Sequence, residues 1–340
     1  MKHSFVALGL AVFVMASASA HHSWTTAYRS SEPDIEIAGV ITQLEWKNPH
    51  VRMQVTADAG KPTAKVWLIE STSVAQLARM DVTPDLVKVG LSVRISGFAG
   101  FDNNSIYMNH LLLPDNREVI FLADAAPRWP GVHIGNSNKL GGAIVEADIN
   151  KRPASIFAVW NTVYGDPKSH AFAAQQAAAK AAAAKEGPKP APVSAPAPSS
   201  AAYCAAKALP MAMTNPYPIQ FIKKGQDVVL KLEEYDQVRT IHIGKSHEDS
   251  GAASSLMGYS SGVWQGAGER KLVVTTTKID NKALGSRAKL IETFELSADR
   301  NHLDYTSTVS DPDKPGEPVT TSKYWQYRPG ATVQPYNCTL

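Results

Sequence analysis

Two adjacent histidines, His21 and His22, carry the most distinctive chemistry near the start of the sequence. Their neighbouring imidazoles offer nitrogen ligands to a metal ion, and a free α-amine on His21 would add another. Cu(II) favours nitrogen-rich sites and stands at the top of the divalent affinity order. The pair therefore predicts a copper site, with zinc as the alternative, provided that His21 is the first residue of the mature chain.

The residues before His21 have the layout of a cleaved signal peptide. A short basic opening is followed by an apolar run over residues 5–15 and by a small-residue motif that ends at Ala20. The run is too short for a comfortable membrane span, which needs about 20 apolar residues. We expect cleavage after Ala20 and a periplasmic protein without a membrane span.

Composition narrows the classes of partner. The 34 Lys and Arg residues nearly balance the 31 Asp and Glu residues, so charge gives no reason to expect nucleic acid as a partner. The chain has two cysteines, Cys204 and Cys338. In an oxidising compartment such a pair predicts a disulfide, stabilising by about 4–5 kcal/mol in the chain-entropy model; two free thiols are the alternative.

Two further residues are predicted to complete the metal shell with His21 and His22. His50 ends an Asn-Pro-His turn, and Glu70 ends a strand whose alternation places it partly inward. His110, on a later strand, is another candidate. The alternative is that these are ordinary polar residues of loops and turns, because no compact ligand motif is present.

Strands are the elements that must position these residues, and the pattern predicts a mainly β protein in two parts. An OB-like small barrel is expected over 21–124 and an antiparallel β-barrel or sandwich over 203–340. Residues 125–170 are a connecting segment, and 171–202 form an Ala/Pro-rich linker. The predicted strands are 35–46, 51–55, 66–70, 90–98 and 106–113, then 226–235, 239–244, 271–278, 290–296, 303–309 and 323–327. A short helix is expected to begin at a Ser71 cap.

A second candidate site lies in the C-terminal region. The strand period of two puts Glu292 on the same face as Leu290, Phe294 and Leu296, which predicts a buried carboxylate. Such an acid must be paired, hydrogen-bonded or protonated, and it is a candidate for acid–base catalysis. Arg239 is the predicted partner. The remaining candidates to line the same barrel mouth are His242, Tyr217, Glu233 and Trp264. The alternative is a structural Glu–Arg pair that fixes strand register.

Three stretches, AHHSW at 20–24, GVITQLEWKNPHV at 39–51 and VWLIE at 66–70, resemble an exported proteobacterial family of unknown function. The resemblance implies that His21, His22, His50 and Glu70 are recurrent polar positions, and it implies no activity. The order of motifs over 203–340, including both cysteines, resembles an uncharacterised family of exported bacterial β-domains.

Three functions therefore remain open. The first is a periplasmic protein that binds copper through its N-terminal histidines. The second is a cofactor-independent lyase, decarboxylase or isomerase that acts on a small aromatic or apolar acid in the C-terminal barrel, with Glu292 as acid or base, Arg239 as carboxylate anchor and His242 assisting. The third is a two-module scaffold without catalysis.

Overall fold

The computed structural model of the protein describes residues 27–123, 125–135, 149–164, 166, 168–169, 204–246, 251–313 and 318–339. The predicted fold class is confirmed, because the described chain is mainly β and forms a small barrel followed by a larger one. The predicted Ala/Pro-rich linker lies outside the described residues. Among the described helices, none has the length and apolar character needed to cross a membrane.

The N-terminal barrel is a five-stranded ring in the order β3-β2-β1-β4-β5, closed by a parallel pairing of β3 with β5. Its strands, with two short ones that extend the sheet beyond β5, are β1 (Ile35–Glu45), β2 (Arg52–Ala57), β3 (Lys65–Glu70), β4 (Ser92–Ala99), β5 (Ser105–Leu112), β6 (Glu118–Ile120) and β7 (His133–Ile134). In its pairing with β2, β1 has a register shift between Ile41 and Gln43, which is typical of a β-bulge. Alternate apolar side chains of these strands fill one core.

The predicted short helix is present as α1 (Val74–Arg79). Its N-cap is Ser73, whose hydroxyl accepts from the Gln76 N–H at 3.2 Å. The prediction of Ser71 as the cap is wrong, because the Ser71 amide still donates to the Val51 carbonyl, as an extended backbone does.

The C-terminal barrel closes with nine strands in the order β10-β11-β12-β13-β14-β15-β16-β8-β9. The strands are β8 (Val159–Asn161), β9 (Ile219–Lys224), β10 (Asp227–Leu232), β11 (Gln237–Ile243), β12 (Tyr259–Trp264), β13 (Lys271–Thr277), β14 (Lys289–Leu296), β15 (His302–Ser310) and β16 (Val319–Tyr327). Short 3₁₀ turns elsewhere span Pro84–Leu86, Ile149–Lys151, Met211–Thr214 and Glu234–Asp236. All neighbours pair antiparallel except β11 and β12, which corrects the all-antiparallel expectation.

Three strands of this barrel were not predicted. β8 lies in the stretch expected to be a connecting segment, and its Trp160 is fully buried in the barrel core. Three residues between Gly- and Pro-containing loops are too few to show an alternating pattern. β9 and β12 were missed as well; β12 reads Tyr-Ser-Ser-Gly-Val-Trp, in which the inward positions include Ser260 and Gly262.

The predicted disulfide between Cys204 and Cys338 is present and joins residues 134 positions apart. It holds the C-terminal tail where Cys338 makes an isolated bridge to Asn48 of the N-terminal barrel. The two barrels therefore meet at a junction that contains the Asn-Pro-His turn.

Candidate functional site

His50 and Glu70, two of the four predicted metal ligands, lie side by side at the end of β3. The Nδ1 atom of His50 is 3.2 Å from a Glu70 carboxylate oxygen and 2.7 Å from the Ser71 carbonyl oxygen. A carbonyl oxygen can only accept, so Nδ1 carries the proton of the neutral ring and Nε2 keeps its lone pair. Nε2 has no hydrogen-bond partner among the described residues. Metal-binding histidines are oriented in this way, through a proton donated to a carbonyl or carboxylate behind the ring.

Glu70 is held from two other sides. The Tyr28 hydroxyl donates to its second oxygen at 2.8 Å, and an Arg52 guanidinium nitrogen lies 3.6 Å from the first. Burial, with the nearby Glu70 charge, raises the pKa of the Tyr28 phenol, so the phenol keeps the proton that it donates. Glu70 thus contacts the Nδ1 side of His50, which is the position of a residue that orients the ring.

His21 and His22 lie outside the described residues. Within the part of the chain that the structure describes, no group of three or more His, Cys, Asp or Glu side chains is arranged to hold a metal ion. His50 and Glu70 are thus the part of the predicted shell that the structure locates.

His110 is not brought to this pair. Its Nδ1 atom is 2.8 Å from a carboxylate oxygen of Glu118, a buried residue of β6. The other Glu118 oxygen accepts from the Trp129 amide at 3.0 Å and lies 3.5 Å from His133 Nε2. His110 therefore belongs to a separate His–Glu cluster on the β5–β6 pair.

Asn48 connects the Asn-Pro-His turn to both neighbours. Its side-chain oxygen accepts from the Val74 amide at 2.9 Å, at the start of α1, and its amide nitrogen donates to the Tyr336 carbonyl of the C-terminal tail. Asn48 is buried, so both groups depend on these partners. The turn that presents His50 is consequently held by α1 and by the disulfide-bonded tail.

Two acidic residues of the C-terminal barrel reach the same junction. Glu233, fully buried, accepts from Arg79 of α1, and Glu234 accepts from Lys207 at 3.1 Å. Burial raises the pKa of the Glu234 carboxyl, while the positive charge of Lys207 opposes the rise. Glu234 was absent from the sequence-based candidates, because its proximity to His50 depends on how the two barrels pack.

Glu292 and Arg239 form the predicted buried pair. Both Glu292 oxygens accept from the Arg239 guanidinium, one of them at 3.1 Å, and the Tyr305 hydroxyl donates to the same carboxylate at 2.9 Å. The guanidinium also donates to Ser260 at 2.8 Å and to Thr276 at 2.5 Å. A fully partnered pair with both side chains at most 1 % exposed favours the structural alternative for Glu292.

His242 is not part of that cluster. It alternates with the inward Ile241 on β11, and its Nδ1 atom lies 3.0 Å from an Asp227 carboxylate oxygen. Its ring stacks on Tyr259 with centroids 5.2 Å apart. The structure therefore does not bring the three predicted catalytic residues together, and their catalytic role stays a prediction.

Lys323, on β16, is the inward-facing residue that the sequence reasoning missed. Its side chain is buried, and its amine lies 4.3 Å from the centroid of the Trp325 ring. The sequence pattern could have identified Lys323 as inward-facing, because a period of two puts Lys323 and Trp325 on one face of the predicted strand at 323–327.

Fold and candidate residues together define a mainly β protein of two barrels, with a histidine–carboxylate pair at their junction and buried charges in both interiors. Residues 10–106 match the model described as "Family of unknown function (DUF6152)". The matched range contains all four predicted metal-site residues and ends within β5. A search of curated proteins finds no match for the chain. The resemblance of the C-terminal region to a β-domain family stays a prediction.

Proposed function

We propose that this protein is an exported metal-binding protein that holds Cu(II) between the amino terminus of its mature chain and the His50 imidazole. The observation that carries the proposal is the orientation of His50, whose Nδ1 is occupied by Ser71 and Glu70 while Nε2 keeps its lone pair. In this site His21 and His22 supply the remaining nitrogen ligands. Glu70 supports the His50 ring from behind instead of binding the ion itself.

The connectivity of the chain supports the same arrangement. Tyr28 is bonded to Glu70, so the start of the described chain lies beside the His50–Glu70 pair. Tyr28 follows His22 by six positions, and six residues of extended chain reach about 20 Å at most. This span is long enough for His21 and His22 to reach the His50 imidazole, as the proposed site requires.

The donor set favours Cu(II) over harder cations. An α-amine and three imidazoles are nitrogen ligands, which Cu(II) binds most tightly among the divalent first-row metals. Zinc accepts the same ligands and is the competitor to test.

The test is a Cu(II) titration of the chain beginning at His21, followed by EPR, beside the same chain with its α-amine acetylated. We expect tight one-to-one binding with a nitrogen-rich EPR signal only for the free His21 amine. Loss of the α-amine ligand should weaken binding, because an amide nitrogen is a poorer ligand until it is deprotonated.

His50→Gln should weaken Cu(II) binding further, whereas His133→Gln is the matched control on the same barrel. His133 is partly exposed and lies beside Glu118, away from the His50 pair. Equal, weak binding by all four proteins would contradict the proposal, and so would an unchanged EPR spectrum in His50→Gln.

A further inference from the structure

The buried charges of the described residues are matched with one exception. Each buried glutamate has a basic partner: His110 for Glu118, Arg79 for Glu233, Lys207 for Glu234 and Arg239 for Glu292. Lys323 is the exception, a buried basic residue without an acidic partner among the described residues. Its amine has no hydrogen-bond partner among the described residues.

Lys323 lies in the aromatic part of the C-terminal barrel. Lys323 pairs with Tyr305 in the β15–β16 register. The centroid of the Tyr305 ring lies 5.2 Å from that of Trp325 and 5.0 Å from that of Phe294. The inward titratable groups on the nearby strands are Tyr305, Glu292 and Arg239, which bond to one another. Lys323 therefore lies beside buried aromatic rings, and no carboxylate of the described residues pairs with its amine.

An amine in this position needs a partner that the described chain does not supply. Burying an ammonium group without an acceptor is costly, and the Trp325 ring face offers only a weak attraction. Burial lowers the pKa of Lys323 to about 7. The amine is therefore only partly protonated near pH 7, and an anion beside it would favour the protonated form.

We propose that the interior of the C-terminal barrel is a binding site for a small aromatic carboxylic acid, whose carboxylate pairs with the Lys323 amine and whose ring packs beside Trp325 and Tyr305. The carboxylate supplies the acceptors that the amine lacks, and the aromatic surface supplies apolar contact. This site is separate from the proposed metal site and does not depend on it.

The test uses the full mature chain and three probes: benzoate, phenylacetate and 3-phenylpropionate, each beside the alcohol of the same carbon skeleton. Calorimetry and saturation-transfer NMR measure binding at millimolar probe concentration. We expect at least one acid to bind, and to bind about tenfold or more tightly than its alcohol, because only the acid can pair with the amine. Calorimetry near pH 7 in buffers of different ionisation enthalpy should also show fractional proton uptake, which a purely structural lysine would not produce.

Lys323→Met keeps the length of the side chain and removes the amine. We expect it to lower the affinity for the acid about tenfold or more and to abolish proton uptake, while binding of the alcohol is retained. Lys231→Met, at an exposed position of β10, is the matched control and should bind as wild type does. If none of the three acids binds, if acid and alcohol bind equally, or if Lys323→Met binds the acid unchanged, the proposal is wrong. Should Lys323→Met fail to fold, the acid–alcohol comparison and the proton uptake in wild type decide the question.

Discussion

Replacing Arg239 with methionine tests the buried pair of the C-terminal barrel. The substitution removes four hydrogen bonds from the guanidinium, two of them to Glu292. It leaves the Glu292 carboxylate fully buried with Tyr305 as its remaining side-chain partner. An uncompensated buried charge of this kind costs about 3–5 kcal/mol of the free energy of unfolding.

The double variant Arg239→Met/Glu292→Leu removes both charges and should recover most of that loss, because apolar replacement of a buried ion pair is often neutral. The assay is urea denaturation at pH 7 with the disulfide intact, followed by tryptophan fluorescence and circular dichroism. The four proteins of the cycle should give a coupling energy of about 2 kcal/mol or more.

A cost below about 1 kcal/mol for Arg239→Met, or a double variant whose loss equals the sum of the single losses, would refute this reasoning. Glu292 would then be a residue that the fold does not need as an ion-pair partner. Its acid–base role, predicted from the sequence, would become the better interpretation.

Three other measurements follow from the structure. Burial lowers the pKa of Lys323 from its ordinary value of 10.5 to about 7 in the folded protein. Between pH 7 and pH 10.5 the unfolded chain therefore keeps a proton on this amine that the folded chain has lost. The free energy of unfolding should therefore rise by about 2 kcal/mol more from pH 7 to 9 in wild type than in Lys323→Met; equal pH profiles would contradict this. Replacing Cys204 and Cys338 with serine opens a loop of 134 residues and should cost about 3–5 kcal/mol in urea denaturation, and a loss below about 1 kcal/mol would show that the junction holds the tail without the bond. At Gly97 an added Cβ would lie 2.0 Å from a backbone carbonyl oxygen of β5, so Gly97→Ala should lower the melting temperature by several degrees while Gly225→Asn, in an open turn, changes it little.

Much of the strand content was predictable because alternation is a local property. In β14 the period of two correctly placed Glu292 inward and indicated Arg239 as its partner, since both share faces with apolar residues of their own strands. The same pattern would have placed Lys323 inward beside Trp325. Strands without a sustained pattern were missed: β8 is three residues long, and β12 has Ser260 and Gly262 at inward positions.

The candidate site was predictable only in part. Glu70 at the end of β3 and His50 after the Asn-Pro-His turn were identified from residue type and position. The sequence did not reveal that Glu70 would contact Nδ1 of the ring, or that Tyr28 would donate to the same carboxylate. These contacts join residues 20 to 42 positions apart, and side-chain direction across such distances depends on strand pairing.

The sequence by itself determined the mainly β class, the alternating inward faces and the single cysteine pair, because each depends on residue type and short-range spacing. The tertiary structure decided which of these residues meet. The strand order β11-β12-β13-β14 brings Glu292 to Arg239, and packing of the two barrels brings Glu234 near His50. The physical reason is that a buried charge takes its partner from whatever strand or barrel packs against it, and that neighbour is set by the whole fold.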